Sequence, residues 1–159
     1  MRQDRQKRNY GGALRRTQPS FAARHLDDHR LVPMGARVLD YGSGFGYDAQ
    51  HFGWTAYDPF YGPQALAPPY DCIVCTQVLN AISAKHRADA LAHIQALLAP
   101  DGAAYLCVAR NLPRAGRTCD LKRRQYYVVL EGAESVYADA KREIYRIGKT
   151  TPLADRTVG

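Results

Sequence analysis

The residues best suited to chemistry lie in one stretch, Arg37-Val38-Leu39-Asp40-Tyr41-Gly42-Ser43-Gly44-Phe45-Gly46-Tyr47-Asp48. An apolar β-type run ends in an acid, and glycines follow at 42, 44 and 46. The spacing predicts a strand, a tight turn and a helix start, with backbone N–H groups exposed and no Cβ to keep a ligand away. Asp58 stands eighteen residues after Asp40, at the end of a second β-type run. Its two carboxylate oxygens can accept both hydroxyl protons of a ribose, the logic by which doubly wound folds hold that sugar. A third run, Tyr70-Asp71-Cys72-Ile73-Val74-Cys75-Thr76, leads into Gln77, Val78, Leu79 and Asn80. Asn80 is placed either to orient an acceptor or to cap the segment that follows it. Tyr61 is placed either to border an acceptor pocket or to pack within its own loop.

Positioning these groups takes alternating strands and helices. Thr17-Gln18-Pro19-Ser20 reads as a turn and N-cap for a short amphipathic helix from Phe21 to Leu31, ended by Pro33-Met34-Gly35. Ala36 to Tyr41 is nearly all apolar, as a central parallel strand buried on both faces requires. A short helix over Tyr47 to His51, a strand over Trp54 to Tyr57, a loop over Gly62 to Pro69 and a strand over Cys72 to Thr76 follow. Lys85 to Leu98 has 3.6-residue spacing, with Ser83 as cap and Pro100-Asp101-Gly102 as the closing turn. Ala103 to Ala109 is a fourth strand. This alternation implies parallel strands with right-handed crossovers. Gln125 to Leu130 and Arg142 to Ile147 are β-type runs suited to a hairpin-like edge, Ser135 to Lys141 suits a helical turn, and Thr150 to Gly159 a frayed tail.

At 159 residues with 46% hydrophobic content the chain is sized for one domain with a real core. Its charge of +7 is unevenly placed. Residues 1–30 carry eight basic and three acidic side chains, residues 31–109 three and six, and residues 110–124 six and one. Basic segments before and after a slightly acidic core suit a polyanion such as DNA or RNA; a solvated face that keeps the protein soluble has the same composition. Arg110, Arg114 and Arg117, beside Tyr126 and Tyr127, offer phosphate contact and base stacking, or a basic lid over a small anionic substrate. Cys72 and Cys75 have a metal-pair spacing, but in a strand positions i and i+3 face opposite ways. With Cys107 and Cys119 they read as core thiols rather than ligands, so no metal site is expected. No apolar run has membrane-spanning length and the N-terminus lacks a signal-peptide core, which points to the cytoplasm. The five histidines share no spacing and read as structural. Oligomeric state is not legible.

The order acid, Gly, x, Gly, x, Gly resembles motif I of the class I methyltransferases that depend on S-adenosyl-L-methionine (SAM). The run Tyr70 to Ile82 resembles their motif IV, and "LLAPDGAAYLCVAR" resembles the helix, turn and strand that follow it. The resemblance covers residues 36–110. It implies an α/β fold, Rossmann-like, with a mostly parallel central sheet on an abbreviated class I methyltransferase plan. A basic flexible arm (1–16), one methyltransferase-like domain (17–149) and a tail (150–159) are then expected.

For the site, the resemblance implies SAM held by Asp40, Tyr41, Gly42, Ser43 and Gly44, with Asp40 meeting the amino end. Asp58 would hold the ribose, Pro59 and Phe60 the adenine, and Gln77, Val78 and Leu79 would border the methyl group. Asn80 and Tyr61 would face the acceptor. Only twelve residues separate Asp58 from Asp71, so the family's usual helix, strand and helix have no room there. The acid that often meets the adenine amino group has no counterpart. "VLDYGSGFGYD", "AYDPF" and "TQVLNAI" also resemble small methyltransferases associated with DNA phosphorothioation systems, implying a role near nucleic-acid modification.

Pro68-Pro69-Tyr70 is similar to the motif of amino-group DNA methyltransferases but precedes its strand, so it belongs at the wrong edge of the sheet. Three other functions compete. A small-molecule methyltransferase would show little salt-dependent nucleic-acid binding. A non-catalytic module of this fold would bind nucleic acid or a partner protein without SAM. An NAD oxidoreductase would need glycine where Tyr47 stands.

Overall fold

The computed structural model describes residues 15–61, 65–114 and 124–158. Helix α1 (Phe21–Asp28) starts where Ser20 accepts a hydrogen bond from the Ala23 amide at 3.2 Å, and it buries Ala22, Ala23 and Leu26. It ends earlier than the spacing predicts: Arg30 takes a positive φ of 54° and the Leu31 amide turns back to the Leu26 carbonyl. Strand β1 (Val38–Tyr41) is buried throughout. Helix α2 (Tyr47–Phe52) is held to six residues by left-handed glycines at both ends, Gly46 and Gly53. Strands β2 (Thr55–Tyr57) and β3 (Tyr70–Thr76) follow, then a 3-10 turn over Leu79–Ala81 and helix α3 (Ala84–Leu97), capped by Ser83.

The remaining strands are β4 (Leu98–Ala109), β5 (Leu130–Glu131), β6 (Glu134–Ala138), β7 (Arg142–Gly148) and β8 (Ala154–Asp155). The six-stranded sheet runs β2-β1-β3-β4-β7-β6. Its first four strands are parallel, and β7 pairs antiparallel with both β4 and β6. The chain therefore passes from β1 outward to β2 and returns across β1 to β3. This reversal opens a crevice at the carboxyl ends of β1 and β3, where doubly wound folds bind ligands. The short Asp58–Asp71 connection leads from β2 to β3, with no additional strand beyond β2 among the described residues.

Alternate residues of β3 serve two cores. Ile73 and Cys75 pack with Leu91, Ile94 and Leu97 of α3, whereas Cys72 and Val74 pack with Ala22 and Leu26 of α1. The two cysteines thus lie on opposite faces, and burial pushes the Cys72 thiol up to about 12. Among the described residues no cluster of three or more His, Cys, Asp or Glu is arranged to hold a metal, and no helix is long and apolar enough to cross a membrane.

Four expectations need correction. Pro100-Asp101-Gly102 is not a turn before a strand: β4 begins at Leu98, and the irregularity is a register shift against Tyr70 and Cys72. Gly102 is required there, because a Cβ would meet the Tyr70 carbonyl oxygen at 2.9 Å and that of Asp71 at 3.0 Å. Ser135 to Lys141 is not helical but mostly strand, with Asp139 receiving the Lys141 and Arg142 amides to turn β6 into β7. Consequently Arg142 to Ile147 forms its hairpin with β6, not with Gln125 to Leu130. Finally, the segment expected to fray carries β8, which pairs with β5, and Asp155 there meets the buried Arg87 at 2.7 Å.

Candidate functional site

The glycine turn follows β1 directly. Gly42, Gly44 and Gly46 all have positive φ, at 77°, 57° and 79°. Gly42 is also required by space: a Cβ would approach Val78 Cγ2 to 2.4 Å. Val78 reaches that point because Gln77 takes a left-handed φ of 60° at the end of β3, its amide donating to the Cys107 carbonyl at 2.9 Å. The turn and the end of β3 thus fit together at the topological crevice.

The turn does not present a row of unengaged N–H groups, contrary to the sequence expectation. The amides of Gly42 and Ser43 both donate to the Tyr57 carbonyl, at 2.7 and 3.0 Å, and that of Gly46 to the Ser43 carbonyl at 2.9 Å. The Gly44 amide donates to Asp58 Oδ2 at 2.9 Å. Four of the five amides from Gly42 to Gly46 are therefore engaged internally, which leaves no nest for a pyrophosphate. This turn is poorly suited to a dinucleotide.

Acids dominate instead. Asp40, Asp48 and Asp58 are all buried. Burial, with added repulsion from Asp48 and Asp58, pushes the Asp40 carboxyl up to about 7, while the field of Arg16 works against that rise. A buried carboxylate with like-charged neighbours is stabilised by an incoming cation. Asp58 has a larger structural share than the ribose role assigns it. Its Oδ1 receives the amides of Phe60 and Tyr61 at 2.9 and 3.1 Å, and its Oδ2 that of Gly44. One lone pair of Oδ2 is left, so this arrangement has room for one hydroxyl donor at Asp58 rather than the two expected.

The other expected contacts separate into two groups. Gln77 and Val78 lie at the crevice, as does the backbone of Ser43. Tyr61 packs against Phe45 with tilted rings, centroids 5.0 Å apart, and Pro59 and Phe60 continue the same turn. Tyr41 and Leu79, by contrast, send their side chains into the core on the α3 side, where the Tyr41 hydroxyl meets His93 Nδ1 at 2.9 Å. Asn80 is only 1% exposed. Its Nδ2 is 3.4 Å from Gln125 Oε1 and its carbonyl receives the Tyr126 amide, but Oδ1 has no partner. Thr76 Oγ1, at the end of β3, is likewise buried and unpartnered. Such orphans cost about 1–3 kcal/mol each, and a ligand's donors would relieve them.

Beyond β4 the same edge carries a cleft of about 300 Å³ lined by Arg110, Arg114, Tyr127, Asp139 and Glu143, among others. Arg110 does not project freely. Its guanidinium is paired with Glu143, donates to the Tyr145 hydroxyl at 2.8 Å and lies 4.3 Å from the Tyr127 ring centroid. Arg114 stacks on the same ring at 5.5 Å. Arg117, and residues 62–64 of the loop near the expected adenine site, lie outside the described residues. At the opposite edge Arg37 binds the carbonyls of Ala67 and Pro69, which confirms that Pro68-Pro69-Tyr70 is remote from the crevice.

Sequence reasoning missed the segment from Arg15 to Ser20, most of which reads as arm and turn. The Arg15 guanidinium lies 4.7 Å from the Phe45 ring centroid, the Tyr47 hydroxyl donates to the Thr17 carbonyl at 3.1 Å, and the Ser20 amide donates to Asp48 Oδ1 at 2.8 Å. These contacts lay the segment across the glycine turn. Phe45, 49% exposed and directly inside the turn, was the available signal.

Comparison with known proteins agrees with this geometry. A family model described as a methyltransferase domain matches residues 14–129. Comparison with curated proteins returns no match. Among solved structures, the chain is similar to 1,6-didemethyltoxoflavin-N1-methyltransferase of Burkholderia thailandensis, solved with 1,6-didemethyltoxoflavin and S-adenosylhomocysteine bound. The identity is 20% and the TM-score 0.53, over 79% of this chain and 75% of that one. It is also similar to a TehB-like SAM-dependent methyltransferase of Corynebacterium glutamicum, at 18% identity and TM-score 0.52 over 84% and 90% of the two chains. With a family model over most of its length and a β2-β1-β3-β4-β7-β6 sheet, the chain belongs to the methyltransferase-domain family, on the class I SAM-dependent plan.

Proposed function

We propose that this enzyme transfers the methyl group of SAM to a nucleic acid or a nucleic-acid component, in the cytoplasm. The observation that carries the cofactor half of this reading is the character of the glycine turn. Its amides are largely engaged, and three buried acids surround it, so it suits a ligand bearing positive charge and not a phosphate. SAM supplies a methyl group on a sulfonium, already activated for transfer, and an ammonium at its amino-acid end. Asp40 would meet the ammonium, Asp58 Oδ2 a ribose hydroxyl, and Pro59 and Phe60 the adenine. Gln77 and Val78 would border the methyl group.

The acceptor half rests on the arrangement beyond β3. Gln125 and Tyr126 hold Asn80, and the next residue, Tyr127, forms a wall of the arginine-lined cleft. An aromatic acceptor stacked near Tyr127, with an anionic group toward Arg114, would lie beside Asn80, whose unpartnered Oδ1 can accept an N–H and orient the attacking atom. The basic segments 1–30 and 110–124 would add the long-range field that gathers a polyanion. The cleft size, at the low end for small-ligand sites, equally favours a free small anionic aromatic as acceptor, which is the second reading.

Calorimetric titration with S-adenosylhomocysteine tests the cofactor, with Asp58→Ala as the control expected to lose binding. Labelled SAM offered with DNA, RNA, nucleotides and small anionic aromatics then tests the acceptor. Label in nucleic acid or nucleotides, weakening as salt rises, supports the proposal. Label confined to other small molecules moves the assignment to the second reading. A folded chain that binds nucleic acid and no S-adenosylhomocysteine is a non-catalytic module, and the proposal fails.

A further inference from the structure

The methionine end of SAM is a zwitterion, so its site needs a partner of each sign. Asp40 supplies the negative one. The positive one is not the glycine turn, where the amides of Gly42, Ser43, Gly44 and Gly46 are already engaged. Four other guanidiniums among the described residues are already engaged. Arg15 stacks on Phe45, Arg87 and Arg110 are paired with Asp155 and Glu143, and Arg37 serves the opposite edge.

Arg16 remains. Its neighbours on both sides are fixed to the turn, Arg15 through the Phe45 ring and Thr17 through the Tyr47 hydroxyl. Its side chain is half-buried, and its field acts on both Asp40 within β1 and Cys107 near the end of β4. The two anchored neighbours hold Arg16 beside the glycine turn, next to the crevice. Among the described residues no carboxylate forms an ion pair with it.

We propose that Arg16 is a cofactor-binding residue whose guanidinium takes the carboxylate of the methionine end of SAM while Asp40 takes the ammonium. The Arg15–Ser20 segment is then a wall of the cofactor site and not a mobile arm. A planar fork suits a carboxylate, which explains arginine rather than lysine at this position. This inference rests on the SAM reading above.

The test compares two ligands on the full chain. S-adenosylhomocysteine has the amino-acid end; 5′-methylthioadenosine has the same adenosine and a thioether but lacks it. Arg16→Gln is expected to weaken S-adenosylhomocysteine by about 10- to 100-fold, the range for losing charge-assisted hydrogen bonds, and to leave 5′-methylthioadenosine unchanged. Arg16→Lys should fall between, since it keeps the charge and loses the fork. Equal weakening of both ligands would mean that Arg16 acts only by supporting the wall, and unchanged S-adenosylhomocysteine binding would mean no contact; either overturns the inference. If the wild-type chain binds neither ligand, the cofactor reading itself fails and takes this inference with it.

Discussion

The carboxyl ends of β1 and β4 lie on one edge of the sheet, two strands apart, and they handle charge differently. Beyond β4, Arg110 is buried against Glu143, the Tyr145 hydroxyl and the Tyr127 ring. Around the carboxyl end of β1, Asp40, Asp48 and Asp58 are all buried, and none of them forms an ion pair among the described residues. They receive backbone amides and repel one another. Paired charge is part of the scaffold, since removing one member leaves the other buried and uncompensated. Unpaired charge raises the energy of the resting protein and is relieved when a ligand brings the opposite sign. The two regions should therefore respond oppositely to neutralisation.

The deepest paired cation gives the largest effect. Arg87 is 2% exposed, donates to Asp155 at 2.7 Å and to the Ile82 carbonyl at 2.6 Å, and lies 5.0 Å from the Tyr126 ring centroid. Arg87→Met should cost about 3–5 kcal/mol in urea unfolding, because Asp155 and the carbonyl lose their partner. A loss below about 1 kcal/mol would mean that buried paired charge is not part of the scaffold, the premise of the comparison.

Asp40→Asn should act in the opposite direction. The carboxyl titrates near 7 in the fold, well above its unfolded value of 3.8, so its penalty is absent below about pH 4 and grows until about pH 7. The asparagine variant should be more stable than wild type by about 2–4 kcal/mol at pH 8 and match it at pH 4. Its affinity for S-adenosylhomocysteine should fall, the usual exchange of function for stability. In the wild type that affinity should rise as pH passes upward through about 7, because only the ionised Asp40 attracts an ammonium. Thermal melts and calorimetry across pH 4–8.5 measure both effects, and a stability gap between variant and wild type no larger at pH 8 than at pH 4 would contradict this account.

What could be read from the sequence was local. Ser20 and Ser83 announce their helices, the glycines at 46 and 53 bound α2, and the i, i+3 spacing of Cys72 and Cys75 places them on opposite faces. The order of strands around the glycine turn was also legible, because an acid followed by alternate glycines has few structural uses. What depends on distant segments was not. The turn looks rich in unengaged donors until β2 brings the Tyr57 carbonyl and Asp58 against it. The tail looks mobile because the partner of Asp155 stands 68 residues earlier. The alternation of β6 is short and interrupted by its own register shift, so Ser135 to Lys141 suited a helical turn. Arg16 was grouped with the basic arm because its surroundings come from β1 and β4.

Two smaller effects sharpen the comparison by separating charge from shape. Gly42→Ala adds a methyl group 2.4 Å from Val78 Cγ2 on a backbone with φ of 77°. It should cost about 2–3 kcal/mol, part from the clash and part from the left-handed conformation. Combining it with Val78→Ala removes the clash alone, so the double variant should be less destabilised than the sum of the two single variants. Strict additivity would mean that the turn and β3 do not meet as described. The smallest effect is expected at Lys85, whose pairing with Asp89 spans one turn of α3 with both side chains largely in solvent. Water already screens that pair, and holding two long side chains together has an entropic cost, so Lys85→Ala should move Tm by less than about 2 °C. A shift as large as that of Arg87→Met would mean that burial is not what distinguishes a scaffold charge from a decorative one. The opposition between the β1 and β4 ends would then need a cause other than desolvation.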